Sequence, residues 1–242
     1  MAGSRRTFVL AAAVGVPCAL THAFLPLPFA QAQEPGLGPD GEIDWSANPV
    51  MRVIGRMAET FTESEYTHGF RVDERAGVYA FDCSGMAHWV LRRAAPKAAA
   101  WSGRGLGGRP LARDYQRKIA RIPYGATAGG WRHIRRVDEA RPGDVVAWVR
   151  PELVKSKNTG HVLFLVRSPE PVSGSPGAFL LRVADSTSLF HDADTRAGRT
   201  GFGFGTILLL ADPETGEPRA YGWVGLRWRT FETAISIGRP LG

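Results

Sequence analysis

The residue best suited to chemistry in this chain is a cysteine at the start of a helix. Cys83 lies in the segment Phe81-Asp82-Cys83-Ser84-Gly85, and the residues after it have the apolar spacing of a helix. A thiol in the first helical turn faces free backbone N–H groups and the positive end of the helix dipole, which favour the thiolate. The sequence therefore predicts a nucleophilic Cys83, with a buried and inert cysteine as the alternative.

A thiol nucleophile needs a neighbouring base, and His161 is the strongest candidate for that role. It opens the apolar strand 161–166, where a polar residue has little packing reason to be, and a strand end holds an imidazole rigidly. His88 lies five positions past Cys83 and so points away from the cysteine face of the helix. His133 lies in a basic segment without apolar support. A structural, hydrogen-bonded histidine is the alternative for His161.

Asp185 is the candidate for orienting that base. It comes where the strand 178–183 breaks, in Asp185-Ser186-Thr187. If this strand and the one that His161 opens are antiparallel neighbours, the end of one and the start of the other share an edge. A carboxylate there can accept a hydrogen bond from the imidazole and fix its tautomer. An ordinary turn aspartate is the alternative.

The elements that must position these side chains are helices first and strands afterwards. Helices are predicted over 49–63, 83–95 and 110–119, with a loop over 65–80 and a Gly/Ala/Arg linker over 97–109. Five strands follow, over 145–149, 161–166, 178–183, 206–210 and 221–228. This order predicts one α+β domain, 48–242, with N-terminal helices packed on an antiparallel sheet of about five or six strands.

The first residues resemble a twin-arginine export signal. Arg5 and Arg6 precede an alanine-rich run, and Ala30-Gln31-Ala32 matches the small-residue pattern of signal peptidase sites. Prolines interrupt the run, which argues against a membrane span. We therefore expect a signal peptide over 1–32 cleaved near Ala32, a flexible linker over 33–47, and a periplasmic or extracellular protein. Cleavage would also remove Cys18, leaving Cys83 as the one cysteine of the mature chain.

The composition is that of a globular chain with a modest positive charge. Hydrophobic residues make up 44%, and the net charge is +7, which loss of Arg5 and Arg6 would lower to about +5. The basic residues are scattered and form no basic helix with interleaved aromatics, so nucleic-acid binding is not expected. Attraction to an anionic cell wall or membrane surface is the simpler explanation of the positive charge.

Two further motifs have ordinary interpretations. Gly201-Phe202-Gly203-Phe204-Gly205 precedes a strand rather than a helix, so it is expected to be a turn or loop and not a phosphate-binding site. His191-Asp192-Ala193-Asp194 contains metal-ligand residue types but is expected to be a solvated loop.

Three motifs in this order resemble the NlpC/P60 superfamily of papain-like cysteine peptidases. They are Phe81–Met86, Arg141–Val146 with its Pro-Gly-Asp turn, and Gly160–Val162; Tyr66-x-x-Gly69 is similar to the family's loop tyrosine near the reacting centre. The resemblance covers most of residues 50–190. It implies an exported hydrolase that cleaves an amide bond in peptidoglycan stem or cross-link peptides without a cofactor.

The resemblance also implies roles for the site residues. Cys83 is the nucleophile, His161 the base, and Tyr66 with the backbone N–H of Cys83 would stabilise the oxyanion. Asp185 stands where the family usually has His, Asn or Gln. Acyl transfer to an amine or alcohol is an alternative reaction on the same scaffold, and a non-catalytic wall-binding or partner-binding module is a further alternative. A monomer is expected.

Overall fold

The computed structural model describes residues 43–225 and 229–242. The predicted signal peptide, most of the predicted linker, and Trp228 in the last predicted strand lie outside the described residues. Within them the chain is α+β, as the order of helices and strands predicts. No helix among the described residues has the length and apolar character needed to cross a membrane.

In the part of the chain that the structure describes, four α-helices precede most of the strands. They are α1 Pro49–Thr60, α2 Cys83–Ala94, α3 Pro96–Gly103 and α4 Ala112–Ala120. Helix α3 corrects the predicted linker, because Pro96 begins a new helix as well as ending α2. Proline suits the first helical position, and the three alanines that follow have the highest helix propensity.

The predicted loop before Cys83 is a small sheet. Its strands are β1 Glu63–Glu65, β2 Arg71–Asp73 and β3 Val78–Ala80, in the order β1-β3-β2. Strands of three residues fall below the length at which alternation of apolar and polar residues can be recognised, which explains the wrong prediction. The last strand, β3, leads directly into the cysteine segment.

Among the described residues the main sheet has ten strands, so the predicted five or six is wrong. Nine of them run in the order β12-β11-β10-β9-β7-β6-β13-β5-β4, and β8 pairs with β9; all of these pairings are antiparallel. The strands are β4 Thr127–Ala128, β5 Trp131–Ile134, β6 Val145–Val149, β7 Gly160–Leu165, β8 Glu170–Pro171, β9 Ala178–Thr187, β10 Gly201–Ala211, β11 Pro218–Gly222, β12 Thr230–Glu232 and β13 Ile235–Pro240.

The alternation of side chains divides the core between the two faces of this sheet. Val145, Ala147 and Phe164 face the helices and pack in one buried cluster with α1 and α2. Val146, Leu163 and their neighbours form a second cluster on the other face. Because helix α2 packs on β7 and β9, the first turn of α2 is brought to the strands that carry the candidate base and its partner.

Candidate active site

Cys83 is the first residue of α2, and its neighbours define the helix start. The Asp82 carboxylate caps the helix by accepting hydrogen bonds from the Gly85 N–H at 2.7 Å and the Ser84 hydroxyl at 2.9 Å. The Arg109 guanidinium donates to the same carboxylate at 2.8 Å. Gly85 is needed here because a Cβ at that position would lie 2.8 Å from the Cβ of Phe81. The cysteine is therefore held on a capped and closely packed helix start.

The surroundings of the Cys83 thiol disfavour its ionisation, against the effect expected from the helix start. Its residue is only 7% exposed, and this burial, followed by the negative charge of Asp82, raises the pKa of Cys83 to about 12. Hydrogen bonding from the backbone N–H groups of Val162 and Ser84 acts in the opposite direction. A base must therefore remove the thiol proton during attack.

His161 lies at the start of β7, beside Val162, whose backbone N–H lowers the pKa of the Cys83 thiol against the effect of burial. The preceding Gly160 has a φ of +147°, and a Cβ there would lie 1.8 Å from the carbonyl oxygen of Trp148, so only glycine fits. The imidazole packs against the rings of Trp148 and Trp223, with centroid distances of 5.2 Å and 4.9 Å. Burial lowers the pKa of His161 below its usual value, although Asp185 acts in the opposite direction. The lowered pKa keeps the imidazole neutral and able to accept a proton.

The structure brings Asp185 and His161 together. The Nε2 atom of His161 lies 2.6 Å from Oδ2 of Asp185, which leaves Nδ1 as the ring nitrogen available to another group. Asp185 is 1% exposed and lies within β9 rather than at its end, so the predicted strand break is wrong. The two strands are antiparallel neighbours, with Phe164 opposite Ala184.

Two partners of Asp185 were missed by the sequence reasoning. His191 is buried, and its Nε2 lies 2.8 Å from the same Oδ2 that His161 approaches. Arg196, 3% exposed, donates to Oδ1 and, at 2.9 Å, to the backbone carbonyl of Asp185. The segment expected to be a solvated loop therefore covers Asp185.

These partners control the ionisation of Asp185. Burial favours the neutral acid, but the positive charges of His191 and Arg196 hold the pKa of Asp185 well below its usual value. The other nitrogen of His191, Nδ1, lies 3.2 Å from the carbonyl oxygen of Trp223. Asp185 is thus a fixed, ionised acceptor for His161.

The glycine-rich segment belongs to strand β10, which corrects the prediction of a turn or loop. Gly203 pairs with Asp185 and Gly205 with Val183 in the β9–β10 ladder. A Cβ on Gly203 would lie 2.6 Å from Cγ of Arg196, and one on Gly205 would lie 2.4 Å from Cβ of His191. The two glycines lie on one face of the strand and make room for the side chains that hold Asp185.

Tyr66 is positioned by a residue from the loop before β7. The Nδ2 group of Asn158 donates to the Tyr66 hydroxyl oxygen at 3.2 Å, which leaves the phenolic proton free to donate elsewhere. Burial raises the pKa of Tyr66 above its usual range, and a negative charge on Cys83 acts in the same direction, so the phenol is protonated. Asn158 was not among the predicted site residues.

A cleft of about 630 Å³ opens beside this group, with Tyr66, Asn158 and His161 in its lining. Its apolar wall consists of Trp148, Tyr221, Trp223 and Phe231. Cys83 does not line it. A second hollow of about 720 Å³, lined by Trp89, Arg92 and Arg109 among others, contains none of the candidate catalytic side chains. The smaller cleft is the candidate substrate site because it reaches the base.

One group of side chains has the composition of a metal site. Among the described residues, ligand atoms of His161, Asp185 and His191 all lie within 4.8 Å of one another. The carboxylate oxygens of Asp185, however, already accept hydrogen bonds from both imidazoles and from Arg196, and a guanidinium beside a metal cation is unfavourable. We interpret the group as a hydrogen-bond network.

The comparisons with known proteins add no relative: no family model matches the chain, and no curated protein or solved structure is significantly similar to it. The functional assignment therefore depends on the motifs and on the geometry around Cys83, His161 and Asp185.

Proposed function

We propose that this chain is an exported cysteine hydrolase of the papain-like NlpC/P60 type. Its substrate is an amide bond in peptidoglycan stem or cross-link peptides. The observation that carries the proposal is the 2.6 Å contact between Nε2 of His161 and Oδ2 of Asp185, on the two strands, β7 and β9, against which the Cys83 helix packs. A nucleophile, a base and an orienting acceptor in this relation are the parts that acyl transfer requires.

In the proposed reaction Nδ1 of His161 takes the thiol proton as the Cys83 sulfur attacks the carbonyl carbon. The carbonyl electron pair moves to oxygen, where the Tyr66 hydroxyl and the backbone N–H of Cys83 donate hydrogen bonds. The C–N bond then breaks, and the imidazolium returns its proton to the leaving amine. Water, deprotonated by His161, attacks the thioester, and the C–S bond breaks to release the acid and the thiol.

The roles of the buried groups follow from the same scheme. His161 becomes positively charged while the sulfur attacks, in a site where burial disfavours that charge. Asp185, kept ionised by His191 and Arg196, offsets this cost at the moment of proton transfer. The substitution of a carboxylate for the family's usual neutral third residue therefore suits a deeply buried imidazole.

The test is incubation of purified peptidoglycan fragments with the protein, followed by mass analysis. We expect new fragments with the wild type and a loss of roughly three orders of magnitude or more in Cys83→Ala and His161→Ala. His88→Ala is the matched control, because His88 lies on α2 outside the cleft, and it should retain activity. Addition of a chelator should leave the rate unchanged.

Three results would contradict the proposal. No new fragment with the wild type would exclude wall hydrolysis, and full activity of Cys83→Ala would exclude the thiol mechanism. Loss of activity with a chelator, restored by Zn²⁺, would assign His161, Asp185 and His191 to a metal instead. An added amine acceptor separates hydrolysis from acyl transfer, since transfer would yield the acceptor adduct in place of the free acid.

A further inference from the structure

The cleft beside His161 carries positive charge without acidic side chains. Arg150, Lys155 and Arg229 are among its lining residues, and no Asp or Glu belongs to the described part of the lining. All three cations are exposed. These three side chains form the rim of the cleft, so a ligand meets only positively charged side chains there before it reaches His161.

The charges of this rim are not neutralised within the described residues. The guanidinium of Arg150 donates to the backbone carbonyl of Ser156, and that of Arg229 lies 4.9 Å from the centre of the Phe231 ring. Both partners are uncharged. Some surface arginines elsewhere in the chain pair with carboxylates, as Arg136 does with Asp138 at 2.7 Å.

The wall of the cleft is aromatic, and its rings are packed together. The rings of Trp148 and Tyr221 are stacked at a centroid distance of 4.4 Å, and those of Tyr221 and Phe231 are 5.6 Å apart. A rigid aromatic wall of this kind binds an apolar segment, while the cations at the rim bind an anion. The volume of about 630 Å³ is in the range of sites for small peptides.

We infer that the cleft selects acyl donors that combine an apolar segment with a free carboxylate that the cations at its rim bind. Arg150, Lys155 and Arg229 are then specificity-determining residues, and a neutral analogue of the same shape is a poor ligand. The link between this selectivity and catalysis rests on the proposed function, but the selectivity is a property of binding and can be measured without turnover.

The experiment uses the Cys83→Ala full chain and two peptides of the same shape, N-acetyl-Leu-Leu-Glu-amide and N-acetyl-Leu-Leu-Gln-amide. Calorimetric titration at low salt should give about tenfold tighter binding of the Glu peptide, since each exposed charge contributes a few-fold. Raising the salt to 0.5 M should remove most of the preference, because screening weakens exposed charge pairs.

A charge-matched pair of variants locates the effect. Arg150→Gln/Lys155→Gln/Arg229→Gln should bind both peptides within about twofold of each other. The control, Arg56→Gln/Arg117→Gln/Arg121→Gln, removes the same charge from exposed positions outside the cleft and should keep the preference. The three single cleft variants each reduce the preference a few-fold and provide the same test if the triple variant does not fold.

The inference fails if neither peptide binds, if both bind equally, or if the preference persists in the cleft variants. Failure of the proposed function is separate from these outcomes. If the protein cleaves no wall fragment but prefers the Glu peptide, the inference of an anion-selective cleft is supported and the proposed hydrolase function is contradicted. If it cleaves wall fragments without the preference, the hydrolase function is supported and the selectivity is contradicted.

Discussion

Asp185 is the residue that holds the candidate base, His161, together with two further buried side chains. One of its carboxylate oxygens accepts hydrogen bonds from His161 and His191, and the other accepts one from Arg196. The site is almost fully buried. A buried carboxylate with this many partners is stable only as an anion, because its partners would otherwise keep unpaired charge. The ionised form is also the one that holds the tautomer of His161 with its proton on Nε2.

The first prediction concerns Asp185→Asn. The amide cannot neutralise buried Arg196, so the free energy of unfolding should fall by about 3–5 kcal/mol, and the hydrolysis rate should fall roughly 10⁴-fold. Urea unfolding and the fragment assay measure the two effects. Asp138→Asn, which breaks a surface pair with Arg136, is the control and should cost about 1 kcal/mol or less. A variant as active as the wild type would remove Asp185 from the mechanism.

The pKa of Cys83 changes how this thiol should be tested. A thiol with a pKa of about 12 reacts slowly with alkylating agents at neutral pH whether or not it is catalytic. Slow alkylation is therefore no evidence for a non-catalytic module. Only the rate with a substrate, in which His161 takes the proton during attack, separates the two interpretations.

At the scale of elements, strand β10 leaves room for the site because one of its faces carries glycines in place of larger side chains. Its glycines at 201, 203 and 205 lie on one face of the strand. The segment with His191 and Arg196 packs against that face and reaches Asp185 on the neighbouring strand β9. Larger side chains on this face would hold the segment away from the carboxylate.

The second prediction follows from this packing. In Gly205→Ala the new methyl group would overlap Cβ of His191, so we expect a loss of about 1–3 kcal/mol in unfolding free energy and a reduced hydrolysis rate. Gly108→Ala is the control, because a Cβ there meets nothing within 4 Å, and its stability should change by less than about 0.5 kcal/mol. Equal behaviour of the two variants would show that His191 is not held by the glycine face.

At the scale of the whole molecule, the buried network makes the fold sensitive to acid. The pKa of His161 in the folded protein is lowered. Below the ordinary histidine pKa the unfolded chain therefore binds this proton more readily than the folded protein does, and the free energy of unfolding decreases as the pH decreases. The folded pKa of Asp185 is also lowered, so its contribution is complete above the ordinary aspartate pKa and is lost as pH falls through the folded value. Both groups act in the same direction.

The third prediction is a decline of stability in two stages, one below about pH 6.5 and another below about pH 4. Urea unfolding at pH 7.5, 5.5 and 3.5 should show it. His161→Gln carries no titrating group at that position and should lose most of the first stage while keeping the second. The same decline between pH 7.5 and 5.5 in wild type and variant would show that other groups cause it.

The strand order shows why the extent of the sheet was underestimated. The last strand, β13, lies between β5 and β6, with Ile237 opposite Ile134 on one side and Val146 on the other. Its sequence contains glycine and ends in proline, which are unfavourable in a central strand. The pairing with two strands about 90 to 100 residues earlier stabilises it, and no local sequence pattern indicates such a partner.

The sequence by itself determined the local features of this protein. A capped helix beginning at Cys83, a strand beginning beside His161, and an aspartate on a neighbouring strand follow from residue type and spacing, because each depends on residues close together in the chain. The α+β class follows from the same local patterns.

Only the tertiary structure decided what surrounds those residues. Asn158 reaches Tyr66 across 92 positions, Arg196 and His191 close over Asp185 through a segment that looks solvated, and burial makes Cys83 a neutral thiol. Each of these depends on which surfaces meet when the sheet forms. Charge, burial and partner choice are properties of that packing, and spacing along the chain does not contain them.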